Sequence, residues 1–142
     1  MKFITILPLL ALAFADDLIR PGTLYIALVR NTPAYKDLSV SDGKLVVGSQ
    51  LTNFEYKPDG SLYSKDHNKF LGVSNEGKLF LDSWPQTGFS VKSSRGSEYK
   101  RKLHYNNKHL FQLCGDKLIG LDSDCANARP VTIIYEDIIQ PR

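Results

Sequence analysis

Cysteine, histidine, methionine and tryptophan are scarce in this chain of 142 residues, which holds two, three, one and one of them. A structural zinc site uses four cysteine or histidine ligands at close spacing, and neither the cysteines nor His67, His104 and His109 form such a pattern. His104 and His109 are an odd number of positions apart, so on one strand their side chains would point to opposite faces. The sequence therefore predicts no metal site and no cofactor.

Recognisable catalytic motifs are also missing. Residues 95–98 (RGSE) do not form the Gly-x-Ser-x-Gly elbow of a serine nucleophile. A glycosidase needs two carboxylates that can lie far apart in sequence, but the acidic candidates lie in or beside turns, where such residues shape hairpins and aid solubility. These candidates are Asp59, Asp66, Glu76, Asp82, Asp122 and Asp124. We predict a protein that is not an enzyme, and a secreted carbohydrate-active enzyme is the alternative.

Long apolar runs are confined to the N-terminus. Lys2 precedes a mostly apolar segment from Phe3 to Phe14, and Ala13-Phe14-Ala15 has the small–large–small pattern of a secretory cleavage site. The run is shorter than the roughly 20 residues that a membrane-spanning helix needs. We therefore predict a signal peptide at residues 1–15 and a secreted domain at residues 16–142, without a membrane anchor.

Charge of one sign is not in large excess either. The formal net charge is +3, which is too small to give a general attraction to nucleic acid, and no N-linked glycosylation sequon occurs. We predict no nucleic-acid partner. Because the chain is predicted to be secreted, its two cysteines are expected to form one disulfide, Cys114–Cys125.

The sequence does contain a series of turn signals, each followed by an alternating apolar run. Asp42-Gly43, Asp59-Gly60 and Glu76-Gly77 stand at equal intervals, and Gly115-Asp116 precedes a similar run, Lys117–Leu121. Such pairs supply the positive φ that a tight chain reversal needs. About eleven or twelve short strands are indicated, and no segment shows a helical period. The sequence predicts a single compact all-β domain.

The strand count favours a β-trefoil-like fold, in which three units contribute four strands each. Residues 69–81 (KFLGVSNEGKLFL) are typical of the strand–turn–strand core of such a unit, and Lys117–Leu121 repeats part of it about one unit later. Alternation of apolar residues determines neither the strand order nor the closure of the sheet. A β-sandwich or an irregular barrel is therefore the alternative.

Several short segments in both halves of the chain carry a family resemblance. They are residues 24–34 (LYIALVRNTPA), Gly88-Phe89-Ser90, and Phe111–Cys114 (FQLC) followed by a hairpin, a second cysteine and an apolar strand. Together they resemble fungal cell-wall proteins of the PhiA type, and the second half also resembles the C-terminal domain of Pir-type wall proteins. The glutamine-bearing repeat of the Pir type and a serine- and threonine-rich stalk are absent. The resemblance implies a non-enzymatic, secreted, wall-associated domain with a polysaccharide partner, glucan or mannan.

Two groups of residues are candidates for ligand binding. The first lies in residues 92–109, where basic and aromatic side chains are interleaved, as suits a polyanion such as a phosphorylated mannan. The basic candidates are Lys92, Arg95, Lys100, Arg101, Lys102 and Lys108. The alternative interpretation is a solvated edge strand whose lysines oppose association with other strands.

The second group consists of Trp84, Tyr63 and Tyr105. Exposed aromatic rings stack on the faces of sugars, although a lone tryptophan is more often packed in a core or an interface. We therefore expect a structural or glycan-associating protein of a cell wall or cell surface. A soluble secreted effector or inhibitor is a further alternative.

Overall fold

The computed structural model describes residues 19–93 and 97–138; the predicted signal peptide and Arg95 lie outside these ranges. Within them the chain forms twelve strands and no helix, which confirms the all-β class and the predicted number of strands. The strands are β1 (Gly22–Val29), β2 (Thr32–Ser41), β3 (Lys44–Val47), β4 (Glu55–Tyr56), β5 (Leu62–Ser64), β6 (Lys69–Val73), β7 (Leu79–Asp82), β8 (Phe89–Ser93), β9 (Lys100–Tyr105), β10 (Leu110–Leu113), β11 (Ile119–Gly120) and β12 (Arg129–Asp137).

Six of the strands follow one another around a ring. Antiparallel ladders join β4 to β5, β8 to β9, β9 to β12 and β12 to β1. A bridge between Gly22 and Phe54 joins β1 to the residue before β4. The N–H of Phe89 in β8 donates to the carbonyl of Gly60, just before β5, at 2.9 Å. Each of these six strands therefore has a neighbour on both sides.

The other six strands form three hairpins, β2–β3, β6–β7 and β10–β11, which meet one another. Each hairpin turn contains a residue with positive φ whose carbonyl accepts a hydrogen bond from the next hairpin. The three bonds run from Leu81 N–H to Gly43 O at 2.8 Å, from Leu121 N–H to Gly77 O at 2.7 Å, and from Val47 N–H to Lys117 O at 3.1 Å. This approximate threefold repeat, together with the ring, is the trefoil-like arrangement that the strand count predicts.

The repeat corrects one detail of the sequence comparison. The sequence puts Gly115-Asp116 in the role of Glu76-Gly77, but the structural counterpart of Gly77 is Lys117, with φ values of 82° and 73°. Lys117 occupies the last turn position before β11, as Gly77 does before β7. A lysine rarely adopts this conformation, so nothing local in the sequence indicates it.

The core is built from the alternating apolar residues of both layers. Equivalent positions in the three units (β1–β4, β5–β8 and β9–β12) contribute a leucine from a ring strand and an aliphatic side chain from a hairpin, all at most 1% exposed. These residues are Leu24, Leu62 and Leu103 from the ring, and Leu45, Leu79 and Ile119 from the hairpins. Because successive residues of a strand point to opposite faces, the same pattern directs the intervening side chains outward.

Cys114 and Cys125 form the predicted disulfide, with their Cα atoms 5.7 Å apart. Cys114 follows β10, and Cys125 lies in the loop between β11 and β12, where Gly115 N–H also donates to Ala126 O at 2.9 Å. A disulfide is compatible with an extracellular location.

Residues 19–93 and 97–138 contain no apolar helix of the length that crossing a membrane requires.

Candidate functional site

A row of aromatic and polar side chains crosses the outer face of β5, β6 and β7. Tyr63 pairs with Phe70, their ring centroids lie 5.1 Å apart, and Phe70 pairs with Asp82. All three side chains are half-buried. The residues that alternate with them and face the core are Leu62, Leu71 and Leu81. The pleat of the sheet therefore places the row outside.

Trp84 follows this row in the turn just after β7. Its backbone N–H donates to Asp82 Oδ1 at 3.4 Å, and its side chain is 76% exposed, more than any other large hydrophobic residue in the described chain. The short turn between Asp82 and Pro85 thus holds the indole at the edge of the strand without burying it. We call Tyr63, Phe70, Asp82 and Trp84 the aromatic platform.

Gln86 connects the platform to neighbouring segments through hydrogen bonds. Its Oε1 accepts from the N–H of Val73 and from the hydroxyl of Tyr105, both at 2.9 Å. Its Nε2 donates to Asp82 Oδ2 at 3.3 Å. The amide lies directly over Gly72, where a Cβ would come within 2.3 Å of Nε2, so the glycine provides the space that this side chain occupies.

The two candidate tyrosines have different environments. Tyr63 keeps a half-exposed ring: its hydroxyl donates to Asn68 Oδ1 at 2.6 Å, and Lys57 Nζ lies 5.3 Å from the ring centroid. Tyr105 packs against Phe89 with centroids 4.7 Å apart. Since its hydroxyl is bonded to Gln86, Tyr105 supports the platform from behind and does not extend its surface.

The platform combines the exposed ring of Trp84, the half-buried rings of Tyr63 and Phe70, and the carboxylate of Asp82. Asp82 takes part in no ion pair within the described residues, and its two oxygens receive hydrogen bonds of 3.3 and 3.4 Å, which leaves acceptor capacity for a ligand. An indole face stacks on an apolar sugar face, and a carboxylate accepts hydrogen bonds from neighbouring hydroxyls. This arrangement is suited to binding a sugar.

The structure divides the basic candidates into different environments. Arg101 is paired with Asp137, and both side chains are largely buried, so the charge of Arg101 is neutralised within the protein. Lys108 pairs with Asp122 in the solvent. Lys100 stands opposite Glu136 in the β9–β12 ladder. Arg95 lies outside the described residues. Lys92 and Lys102 remain, directly opposite each other in β8 and β9.

The expectation that His104 and His109 face apart is wrong. Their ring centroids lie 5.7 Å apart. The two residues are not on one strand, because the chain turns at Asn106 and Asn107, which both have positive φ, and Tyr105 then bridges to Lys108. The reversal brings both rings to the same side.

The acidic residues serve mainly local roles in this structure. Asp59 accepts from the N–H and the hydroxyl of Ser61 at 3.0 and 2.7 Å, which is the turn function expected for it. Within residues 19–93 and 97–138, no group of three or more histidine, cysteine or acidic side chains is placed to hold a metal ion.

A cavity of about 470 Å³ lies beside the start of β1 and the turn between β5 and β6. Its lining includes two cationic and two anionic side chains, Arg20, Lys65, Glu55 and Asp66, so it carries no net charge. It also includes Ile138, the last residue described. The lining does not single out a class of ligand.

Sequence reasoning identified Trp84 and Tyr63 but missed Phe70 and Gln86, and it treated Asp82 only as a turn acid. The alternation of Leu62 and Tyr63 with Phe70 and Leu71, on either side of the Asn68 turn, does indicate that both rings face outward. The role of Gln86 has no local signal, because its partners lie on three separate segments.

No protein-family model matches the chain, and no curated protein or solved structure is significantly similar to it. The resemblance to fungal wall proteins therefore stays a prediction from short motifs.

Proposed function

We propose that this protein is a secreted, non-enzymatic module that associates with a cell-wall or cell-surface glycan through the aromatic platform. The observation that carries the proposal is the exposure of Trp84, whose backbone N–H is bonded to Asp82, next to strands that present Tyr63 and Phe70 on their outer face. Burying an exposed indole against a ligand removes a large apolar area from water, which drives association.

A neutral polysaccharide such as glucan or mannan fits the platform best. The charged side chains at or beside it include Asp82, and Lys57 paired with Glu55, so no excess of positive charge marks it for a polyanion. Ring stacking and hydrogen bonds to hydroxyls depend little on ionic strength, whereas attraction between exposed charges is screened by salt. The secreted location and the wall association are supported by the signal pattern, the disulfide and the family resemblance.

The test is retention of the mature chain, residues 16–142, on washed fungal walls and on isolated glucan, mannan and chitin. We expect retention on one neutral polymer that survives high salt, and a loss of about tenfold or more in affinity for Trp84→Ala, since a buried aromatic anchor contributes more than 1 kcal/mol.

Leu51→Ala is the matched control. Leu51 is 51% exposed in the loop between β3 and β4, which corresponds to the Trp84 loop in the first unit. It should bind like the wild type. Absence of retention on every polymer, or equal losses in both variants, would overturn the proposal. Release of reducing sugar from a retained polymer, abolished by Asp82→Asn, would instead support the carbohydrate-active enzyme.

A further inference from the structure

A second surface of interest lies on the outer face of β8 and β9. Lys92 pairs with Lys102 in this ladder, and Ser90 pairs with His104. Leu103, which alternates with Lys102 and His104, is fully buried, so those two side chains share the outer face. The His109 ring joins them through its 5.7 Å approach to His104. We call Lys92, Lys102, His104 and His109 the basic face.

Two of the acidic residues near the basic face are already ion-paired. Asp137 is paired with Arg101, and Asp122 with Lys108 beside His109. Glu136 of β12 stands opposite Lys100. Neither Lys92 nor Lys102 has an ion-pair partner in the part of the chain that the structure describes.

Two like charges placed directly across a ladder destabilise the pair of strands. Lys92 and Lys102 therefore do not improve the fold of β8 and β9. A bound anion would remove this repulsion, because it would supply negative charge to both ammonium groups at once. The local cost in stability points to a ligand and not to a structural role.

The distribution of charge along the sheet favours binding of an anion at its β8 end. One register row runs across five strands, through Asp37, Tyr25, Ile134, Lys102 and Lys92. Negative charge lies at the β2 end of the row and positive charge at the β8 end. The stacked rings of this face, Tyr25 with Tyr35, lie at the acidic end, so they are not placed to stack nucleic-acid bases beside the lysines.

We propose that the basic face binds an anionic polysaccharide, one that carries sulfate or phosphate groups, and that it binds this ligand more tightly as the pH falls. Lys92 and Lys102 supply the charge that is present at neutral pH. His104, whose ring lies beside that of His109, adds positive charge as the pH falls. The site is separate from the aromatic platform, so it does not depend on binding of a neutral glycan.

The direction of the pH effect follows from the surroundings of His104. Burial lowers the pKa of its imidazole, its bond to the Lys102 carbonyl opposes this, and the charges of Lys92, His109 and Lys102 lower it further. A bound anion favours the charged imidazolium and raises this pKa again. Since the complex then holds more protons than the free protein, affinity must rise as the pH falls.

The experiment measures binding of the mature chain to dextran sulfate, with neutral dextran as the reference, at one ionic strength. We expect affinity to rise about fivefold between about pH 7.5 and about pH 5, because an added charge at a partly exposed position contributes on that order. The neutral polymer should show no such rise. Proton uptake on binding, measured by calorimetry in buffers of different ionisation enthalpy, should accompany it.

Three double variants separate the site from general charge. Lys92→Gln/Lys102→Gln should lose about tenfold or more at both pH values, since two charges at the site are removed. His104→Gln/His109→Gln should bind as the wild type does near neutral pH but without the rise. The control changes two exposed lysines on other strands, Lys36→Gln/Lys69→Gln, and removes the same net charge.

Near wild-type binding by this control supports the site. Equal losses in the control and in the Lys92/Lys102 variant would show attraction by net charge alone and overturn the proposal. A full pH response in the His104/His109 variant would also overturn it, as would tighter binding of a homopolymeric RNA than of dextran sulfate. Circular dichroism spectra of all variants distinguish lost binding from lost folding.

Discussion

Tyr135 shows how one polar atom can fasten separate segments inside an apolar core. Its side chain is fully buried, and its hydroxyl lies 2.6 Å from the carbonyl of Arg20 and 3.1 Å from that of Phe54. Gly22 lies against the ring, where a Cβ would come within 2.6 Å of Cε1. The hydroxyl therefore ties the start of β1 and the approach to β4 onto β12, at the point where a single bridge joins β1 to β4.

Replacing Tyr135 with phenylalanine should lower the free energy of unfolding by about 0.5–1.5 kcal/mol, because the Arg20 carbonyl loses the hydroxyl donor while the Phe54 carbonyl keeps only the N–H of Gly22. Burial also raises the pKa of Tyr135 well above its ordinary value of 10.0. The folded state thus keeps the proton that the unfolded state releases at high pH, so wild-type stability falls above about pH 10. Chemical denaturation at neutral and high pH measures both effects.

Tyr35→Phe is the matched control, since the Tyr35 side chain is 66% exposed. Its free energy of unfolding should change by less than about 0.5 kcal/mol. If Tyr135→Phe is equally mild, the hydroxyl does not hold these segments together.

At the scale of elements, each unit attaches the loop that follows its hairpin to the hairpin itself by a different interaction. In the first unit, Thr52 Oγ1 accepts from the N–H of Val40 at 3.0 Å. In the second, Gln86 Oε1 accepts from the equivalent N–H of Val73 at 2.9 Å. In the third, the disulfide joins the end of the hairpin to its loop. The same geometric need is met by a hydroxyl, an amide and a covalent bond.

A comparison of the three hairpin turns can separate the energetic cost of backbone strain from that of steric contact. Gly43, Gly77 and Lys117 share a positive φ. A Cβ at Gly43 meets nothing within 4 Å, whereas one at Gly77 comes within 2.7 Å of the Leu121 carbonyl. We expect Gly43→Ala to cost about 1 kcal/mol from backbone strain alone, and Gly77→Ala about 2–3 kcal/mol from strain plus overpacking.

Lys117→Gly should have the opposite sign. It removes the left-handed strain of a residue that has a Cβ, and we expect a gain of about 0.5–1 kcal/mol after the entropy cost of glycine is included. Denaturant titration of the three variants measures these differences. Equal costs for Gly43→Ala and Gly77→Ala would contradict the steric account, and a loss for Lys117→Gly would contradict the strain account.

Local signals in the sequence were sufficient to predict the strands and turns such as that at Gly43. They were not sufficient for Lys117, whose conformation is maintained by a hydrogen bond from another hairpin. Trp84 was identified by residue type, but its relation to Asp82 depends on where β7 ends. Similarly, the basic character of Arg101 is visible in the sequence, while its partner lies on a strand distant in the chain. Register between distant strands is a property of the folded chain.

At the scale of the whole molecule, a repeated framework carries surfaces that are not repeated. The aromatic platform belongs to the second unit, between β5 and the loop after β7, and the basic face joins β8 to the third unit. The loop equivalent to that of Trp84 carries Leu51 in the first unit and the disulfide in the third. The buried core positions therefore repeat with approximate threefold symmetry, and departures from this symmetry distinguish the candidate sites.

The disulfide is the clearest of these departures, and its contribution can be measured alone. It closes a short loop, with a sequence separation of 11, so removing it should cost about 2–3 kcal/mol, chiefly through the greater freedom of the unfolded chain. Cys114→Ser/Cys125→Ser should unfold at correspondingly lower denaturant concentration. The wild type in reductant should match it, which controls for the serine side chains. Because the platform is attached through Gln86 in another unit, folded Cys114→Ser/Cys125→Ser protein should be retained on each polymer to the same extent as the wild type. An unchanged free energy of unfolding would show that backbone bonds such as Gly115 N–H to Ala126 O already hold the loop.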